Sequence, residues 1–255
     1  MDHKPSKTIE DYLQVMHYMT RDGSTIIGAR LAERIHVAPP TVTATLQRMV
    51  RDGLITMDDH KVVHLTEDGQ EQAESIVRRH ALAERLLTDI LGLGWSESHE
   101  EAHLVEHVIS PKVERHLMQV LGNPMTCPHG NPIPGTGARP SVHAFSLAEA
   151  QNGQRLVIER IIEEAEDDPE LMTYFERSGL VPRAELQVVE RSPAAGLITV
   201  DHDGQRTAIG LTAATNLRVV DAQHADSLPP LPRRLADVQD QDARGMVAKL
   251  LTGQG

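Results

Sequence analysis

Residues 27–53 read IGARLAERIHVAPPTVTATLQRMVRDG, and their pattern decides the fold of the first part of the chain. Ile27, Leu31 and Ile35 recur at helical spacing, and His36-Val37-Ala38-Pro39 breaks the pattern. Pro40 opens a second helix with Val42, Leu46, Met49 and Val50 on one face. Proline is tolerated in a first turn because the N–H it lacks has no intrahelical partner there. Gly53 ends this helix, and two short strands, residues 54–57 and 62–65, flank Asp58-Asp59-His60. Upstream, residues 7–20 form a helix with Ile9, Leu13, Met16 and Met19 on one face. Helix, turn, helix and β-hairpin in this order make a winged helix-turn-helix, which sets its second helix in a DNA major groove.

Downstream, Thr66-Glu67-Asp68 supplies a capping hydroxyl and two first-turn acids for a helix running to about residue 91. Ser98 and Glu101 have capping-box spacing for a helix through residue 108, and Ser110-Pro111 starts another to residue 121. These helices make an all-α unit suited to dimerisation. Residues 122–140 are rich in Gly and Pro and read as a linker. Short β-type runs follow at 156–162, 185–189, 197–200, 208–211 and 217–220, interrupted by one helix at 169–178, as in a small β-barrel. The chain is thus an α+β multidomain protein. Its expected parts are a winged helix-turn-helix (1–75), a helical metal-binding and dimerisation domain with linker (76–140), a small barrel (141–222) and a Pro-rich flexible tail (223–255). Within the tail, Leu228–Arg234 is a candidate ligand for the barrel, in cis or in trans.

Composition narrows the function. No apolar run nears the ~18–20 residues of a membrane span, and residues 1–7 hold no signal-peptide core. The single cysteine, Cys127, excludes an internal disulfide and suits a reducing cytoplasm; it reads as a bystander thiol. With 2% aromatics the chain lacks stacking platforms for single-stranded nucleic acid, and a net charge of −12 argues against non-specific coating of DNA. Six of the 14 histidines, His80, His99, His103, His107, His116 and His129, fall close together. His99, His103 and His107 recur every four residues with Glu106 beside them, and His80 with Glu84 makes another i, i+4 pair. Imidazole and carboxylate at such spacing hold divalent cations. His99-Glu100-Glu101-Ala102-His103 also matches H-E-x-x-H, the spacing of zinc metalloproteases, but no glycine-rich active-site segment follows it.

The chain resembles the diphtheria toxin repressor/manganese transport regulator family of metal-dependent repressors. The likeness is carried by Ala29-Arg-Leu-Ala-Glu-Arg, Pro40-Thr-Val-Thr, Arg48-Met-Val-Arg-Asp-Gly-Leu, His80-Ala-Leu-Ala-Glu-Arg-Leu-Leu, Glu106-His-Val-Ile-Ser and Gly130-Asn-Pro-Ile-Pro-Gly. The resemblance implies that the barrel is SH3-like and that the protein is no enzyme. It implies a primary metal site of Asp11, His103, Glu106 and His107, with Asp11 and His103 standing where iron-responsive members carry methionine and cysteine. Harder oxygen and nitrogen donors favour Mn²⁺, with Fe²⁺ as the alternative, while Zn²⁺, Co²⁺ or Ni²⁺ can substitute in vitro. An ancillary site of His80, Glu84 and His99 is implied as well, completed from the SH3-like domain by Asp168 or Glu170. An arginine that holds an anion in iron-type members is Ala81 here.

On the recognition helix Pro40, Thr41, Thr43 and Ala44 are expected at the exposed N-terminal end, where they can touch phosphates and thymine methyls, with Ala44 at a position where the iron-type members of the resembled family carry glutamine; Arg30, Arg48 and Arg51 are candidate phosphate contacts. The expected partners are double-stranded palindromic operator DNA and a second copy of the chain, with no membrane. A constitutive DNA-binding scaffold with structural histidines is the rival of a different class.

Overall fold

A computed structural model describes residues 5–230. The weak C-terminal helix and the end of the Pro-rich stretch, expected from sequence beyond Pro230, lie outside the described residues. The chain forms two compact units: Met1–His80 with Val105–Ile109, and Ala81–Leu104 with Ser110–Gly255.

The first unit opens with α1 (Lys7–Arg21), α2 (Gly28–Arg34) and α3 (Pro39–Arg51), then β1 (Ile55–Met57) paired antiparallel with β2 (Val63–Leu65). Ile9, Leu13 and Met16 of α1, Leu31 of α2 and Val42, Leu46 and Met49 of α3 are buried together. Each set repeats at three or four residues, so one stripe of each helix faces this core. Helix α3 starts one residue earlier than the sequence pattern suggests, at Pro39, and places both prolines in its first turn. Asp58 shapes the hairpin: its Oδ1 accepts from the His60 and Val62 amides at 2.9 Å each. Thr66 Oγ1 accepts from the Gly69 amide at 3.0 Å, capping α4 (Glu67–Arg85). The division between the units falls within α4, after His80.

In the second unit the end of α4 continues as a π-helical turn, Leu86–Ile90, which accounts for the long helical pattern. Helix α5 (Trp95–Val105) begins three residues before the expected cap. Ser98 is not its cap: the Ser98 hydroxyl donates to the Trp95 carbonyl at 2.9 Å and accepts from Thr88 Oγ1 at 3.0 Å. After α5 the backbone tightens into a 3₁₀ turn, Glu106–Val108, and Ser110 then caps α6 (Pro111–Val120) by accepting from the Val113 amide at 3.3 Å.

The rest of this unit is a six-stranded antiparallel sheet. Its strands are β3 (Phe145–Ser146), β4 (Arg155–Ile161), β5 (Glu185–Ser192), β6 (Leu197–His202), β7 (Gln205–Gly210) and β8 (Leu217–Asp221), in the order β3-β8-β4-β5-β6-β7. Short helices α7 (Glu163–Glu166), α8 (Pro169–Arg177) and α9 (Leu211–Ala214) fill the connections. Phe175 of α8, Ile158, Ile198 and Val219 of the sheet and Trp95 of α5 share one core.

The Gly/Pro-rich linker is packed, not loose. Cys127, His129, Asn131 and Ile133 are all buried, and the His129 carbonyl accepts from the Ile161 amide of β4 at 2.9 Å. Gly130 (φ +89°) makes that approach possible, because a Cβ there would run into the Glu159 carbonyl. The start of the tail is docked too. A 3₁₀ segment, Ala222–Ser227, leads to Leu228, which is buried against Val157 and Val220. Arg183 donates to the carbonyls of Ala225, Leu228 and Pro229 at 2.8, 2.5 and 2.6 Å. The tail was expected to be flexible; up to Pro229 it is held by hydrogen bonds that composition cannot reveal.

Candidate metal centres and DNA-facing surface

In the first unit, α1 and the 3₁₀ turn after α5 bring together Asp11, Glu106 and His107, which offer ligand atoms within 4.8 Å of one another. His107 Nε2 lies 3.1 Å from Asp11 Oδ1 and 3.2 Å from Glu106 Oε1. The other nitrogen of that ring, Nδ1, is 2.7 Å from Glu10 Oε2. Glu106 is fully buried, and its Oε2 meets His80 Nδ1 at 2.5 Å and Gln14 Nε2 at 3.5 Å. Arg79 reaches both Glu10 Oε1, at 2.8 Å, and the Glu106 carbonyl, at 3.0 Å. Asp11 remains 37% exposed, which leaves this group open to solvent on one side. Buried carboxylates converging on an imidazole suit a divalent cation, since desolvated anions need a positive partner.

The second unit holds a drier cluster, made by the end of α4, α5, the linker and α7. His99 Nδ1 is 3.0 Å from Glu84 Oε1 and 3.4 Å from Glu166 Oε2, and His99 Nε2 is 3.8 Å from Asp167 Oδ1. His129 Nδ1 is 3.2 Å from Glu166 Oε1 and 3.5 Å from Glu84 Oε1. Glu84, Cys127 and His129 offer ligand atoms within 4.8 Å of one another, and all three are buried. A tight turn sets the last two: the Gly130 amide donates to the Cys127 carbonyl at 3.0 Å and the Cys127 amide to the Asn131 carbonyl at 2.8 Å. Asn131 in turn donates to Glu166 Oε1 at 2.9 Å.

Without a cation this cluster balances its charge with protons. Burial works against a protonated His99, yet Asp167, Glu166 and Glu84 overcome it and push its pKa up to about 12. His129 is likewise raised well above the usual histidine value, with burial again outweighed by the charges of Glu166 and Glu84. Burial raises the Glu166 pKa, but the His129 charge prevails and holds it below the usual carboxylate range. Burial and the Glu84 charge push the Cys127 thiol up. The residues therefore fit a divalent ion with thiolate, imidazole and carboxylate donors, once those protons leave.

Within each unit the residues singled out in the sequence have further partners. His80 sits on Glu106 in the first cluster. The every-fourth-residue register of His99, His103 and His107 ends at Val105 with α5; His103 packs its ring edge-on against His99 at 4.7 Å. Asp168 caps α8, its Oδ1 accepting from the Glu170 and Leu171 amides at 3.1 Å each, and Glu170 is exposed. The carboxylates that reach His99 from this region are Glu166 and Asp167. Sequence reasoning missed Glu10, Arg79, Glu166, Asp167 and His129 as members of these groups, and read Cys127 as a bystander. The Asp168-Pro169 pair was itself a cap signature and could have redirected attention to the preceding acids. Glu100 of the H-E-x-x-H match is exposed while His99 is bound up with three carboxylates, so no poised base accompanies it.

On α3, Pro40, Thr41, Thr43 and Ala44 are exposed at the N-terminal end, opposite the core-facing Val42 and Leu46. The Thr43 hydroxyl donates to the Pro39 carbonyl at 3.0 Å, so outward it can only accept. Arg30, Arg48 and Arg51 are exposed; Arg30 bonds the Thr25 carbonyl at 3.2 Å and Arg48 pairs loosely with Asp52 at 3.5 Å.

Comparison with known proteins agrees with this architecture. Residues 4–63 match the iron dependent repressor N-terminal DNA binding domain, 66–135 the iron dependent repressor metal binding and dimerisation domain, and 145–221 the FeoA domain. The iron-dependent repressor IdeR of Mycobacterium leprae is 41% identical over 203 residues, covering 76% of this chain and 88% of that protein. The diphtheria toxin repressor of Corynebacterium diphtheriae is 34% identical over 221 residues, covering 83% and 96%. A manganese-dependent transcriptional repressor solved in complex with manganese superposes with a TM-score of 0.74 at 33% identity, covering 84% of this chain and 99% of that one. With a DNA-binding module, a metal-binding and dimerisation module and relatives that are repressors and not enzymes, the chain belongs to the diphtheria toxin repressor family of metal-dependent transcriptional repressors.

Proposed function

We propose that the chain is a Mn²⁺-responsive repressor that binds a palindromic operator as a dimer in the cytoplasm and controls metal-uptake genes. The observation that carries this reading is the meeting of Asp11, Glu106 and His107, an oxygen- and nitrogen-only donor set, at the foot of the DNA-binding domain. When bound there, a divalent cation supplies the positive charge that offsets the carboxylates.

The chain's own residues convert that binding into a DNA response. Asp11 stands on α1, whose Ile9, Leu13 and Met16 are built into the same core as the recognition helix α3. Glu106 and His107 stand on the turn that leads into α6, in the segment matched to the dimerisation domain. Fixing Asp11 against that turn orients each recognition helix with respect to the dimer, toward the ~34–36 Å spacing of successive major grooves. Occupancy then selects the DNA-competent arrangement from the ensemble. The family resemblance adds His103 as a fourth donor.

The second cluster serves as a supporting site built on Glu84, Cys127, His129, His99 and Glu166. Its thiol is a softer donor, and together with the 41% identity to an iron-dependent repressor it favours Fe²⁺ as the alternative cation.

The test is operator affinity titrated with Mn²⁺, Fe²⁺ under anaerobic conditions and Zn²⁺, for the wild type and Asp11→Met/His103→Cys. The wild type should respond at lower free Mn²⁺ than the double variant, whose sulfur donors shift the preference toward Fe²⁺ and Zn²⁺. An unchanged preference sinks the manganese assignment, and operator binding indifferent to chelator sinks metal gating altogether.

A further inference from the structure

Glu10 and Asp11 are neighbours on α1, yet their carboxylates meet opposite nitrogens of one imidazole. Glu10 Oε2 is 2.7 Å from His107 Nδ1, and Asp11 Oδ1 is 3.1 Å from His107 Nε2. A carboxylate has no proton to give, so at the shorter contact the ring donates its Nδ1–H to Glu10. With a cation between Nε2 and the carboxylates of Asp11 and Glu106, Nε2 would offer its lone pair to the metal while Nδ1–H stays on Glu10.

Arg79 holds Glu10 in turn. One guanidinium nitrogen donates to Glu10 Oε1 at 2.8 Å and another to the Glu106 backbone carbonyl at 3.0 Å. Arg79 is 6% exposed and Glu10 2%, so neither is a solvated surface charge. One planar fork therefore fastens α1 to the very turn that carries Glu106 and His107, a geometry that a lysine cannot reproduce.

We propose that Arg79 and Glu10 are positioning residues of the metal switch. Glu10 sets the tautomer and ring plane of His107, and Arg79 fixes Glu10 and the Glu106–Val108 turn in register before any cation arrives. The inference rests on reading Asp11, Glu106 and His107 as a metal site, and it assigns to Glu10 and Arg79 no bond to the cation itself.

The test is Co²⁺ and Mn²⁺ titration of the full chain in solution. The d–d absorption of Co²⁺ reports ligand geometry, and a thiolate-to-cobalt band marks separate filling of the Cys127 cluster. Glu10→Leu should bind Co²⁺ at the first cluster 10–100-fold more weakly, the usual cost of losing a histidine's orienting partner, with an altered d–d spectrum. Glu10→Gln keeps an acceptor for Nδ1–H and should recover most of the affinity and the wild-type spectrum. Arg79→Lys keeps the charge but not the fork, and should lose about tenfold; this variant decides the matter should Glu10→Leu fail to fold in chelator-treated melts. Glu71→Gln, which removes an exposed acid from α4, should leave affinity unchanged and so controls for net charge. Affinities for Glu10→Leu and Arg79→Lys within twofold of wild type overturn the positioning role alone. A wild type that binds no Co²⁺ without the thiolate band overturns the metal reading of this cluster, and the pair with it.

Discussion

The two candidate metal centres solve the same electrostatic problem in opposite ways. The first gathers Asp11, Glu106 and His107 with one carboxylate 37% exposed and an arginine, Arg79, already compensating Glu10. The second buries Glu84, Glu166, His99 and His129 together and balances them with imidazole protons, leaving a buried thiol beside them. A solvent-accessible group of hard donors suits a cation that comes and goes with its free concentration. A dry, proton-filled group must release protons to take up a cation, so its occupancy depends on pH and its loss is a structural event. Under the proposed function the first serves as the switch and the second as a structural fastening.

The strongest way to break this contrast is to remove a buried acid. Glu166→Ala leaves His99 and His129 sharing Glu84, with Asp167 beside His99 alone, and breaking a buried charge network typically costs about 3–5 kcal/mol. Urea denaturation in chelator, followed by fluorescence of the single tryptophan, Trp95, whose ring lies edge-on to His129 at 5.0 Å, should show that loss. Asp11→Ala, in the half-open group, should shift the same transition by less than about 1 kcal/mol. Equal losses would erase the distinction.

A change of pH should separate the two units. In the first, burial and the nearby Arg21 charge push His17 down to about 4. The unfolded chain takes up that proton near pH 6.5, so the contribution is complete above 6.5 and is lost as pH falls towards 4, by about 2 kcal/mol at pH 5. In the second, His99 is pushed up to about 12, so its contribution is complete below 6.5 and is lost only as pH rises. Metal-free protein taken from pH 7 to pH 5 should therefore lose the near-UV dichroism of Tyr12 and Tyr18 at lower denaturant than the Trp95 signal. Coincident transitions at both pH values would show that the units do not differ in this respect.

The smallest expected effect sharpens the contrast chemically. Cys127→Ser replaces the one soft donor by a hydroxyl and should weaken Zn²⁺ at the buried cluster by about tenfold while changing Mn²⁺ affinity little. Competition against a chromophoric chelator measures both. Parallel losses for the two ions would mean that Cys127 is no ligand.

How much of this could be read from the chain follows from the range of the interactions. The winged helix-turn-helix was legible because Val42, Leu46 and Met49 repeat on one helix face and Thr66 caps the next helix, all local relations. Ser98 misled because a capping residue and a residue bonding within a helix look alike until the helix start is known; Trp95, drawn into the barrel core, sets that start. Glu106 and His107 stood out by spacing, whereas Asp11 was reached only through resemblance. Glu10 reads as an ordinary first-turn acid, and nothing local reveals that Arg79 and His107, far along the chain, will enclose it. Glu166 sits in the acidic run Glu163-Glu164-Ala165-Glu166-Asp167-Asp168, where only the cap role of Asp168 and the path of the linker select which carboxylate turns inward.

The docked stretch after β8 bears on where this protein can be cut. The match to the FeoA domain stops at residue 221, and a chain ended there would keep every strand of the sheet. It would also lose Leu228 from Val157 and Val220, and leave Arg183, in a left-handed backbone conformation at φ 75°, without the three carbonyls it grips. Such a fragment would present a fresh apolar patch beside an unemployed cation, a recipe for self-association in concentrated solution. The physical boundary of the domain lies some eight residues beyond the boundary of its family pattern, at Pro229.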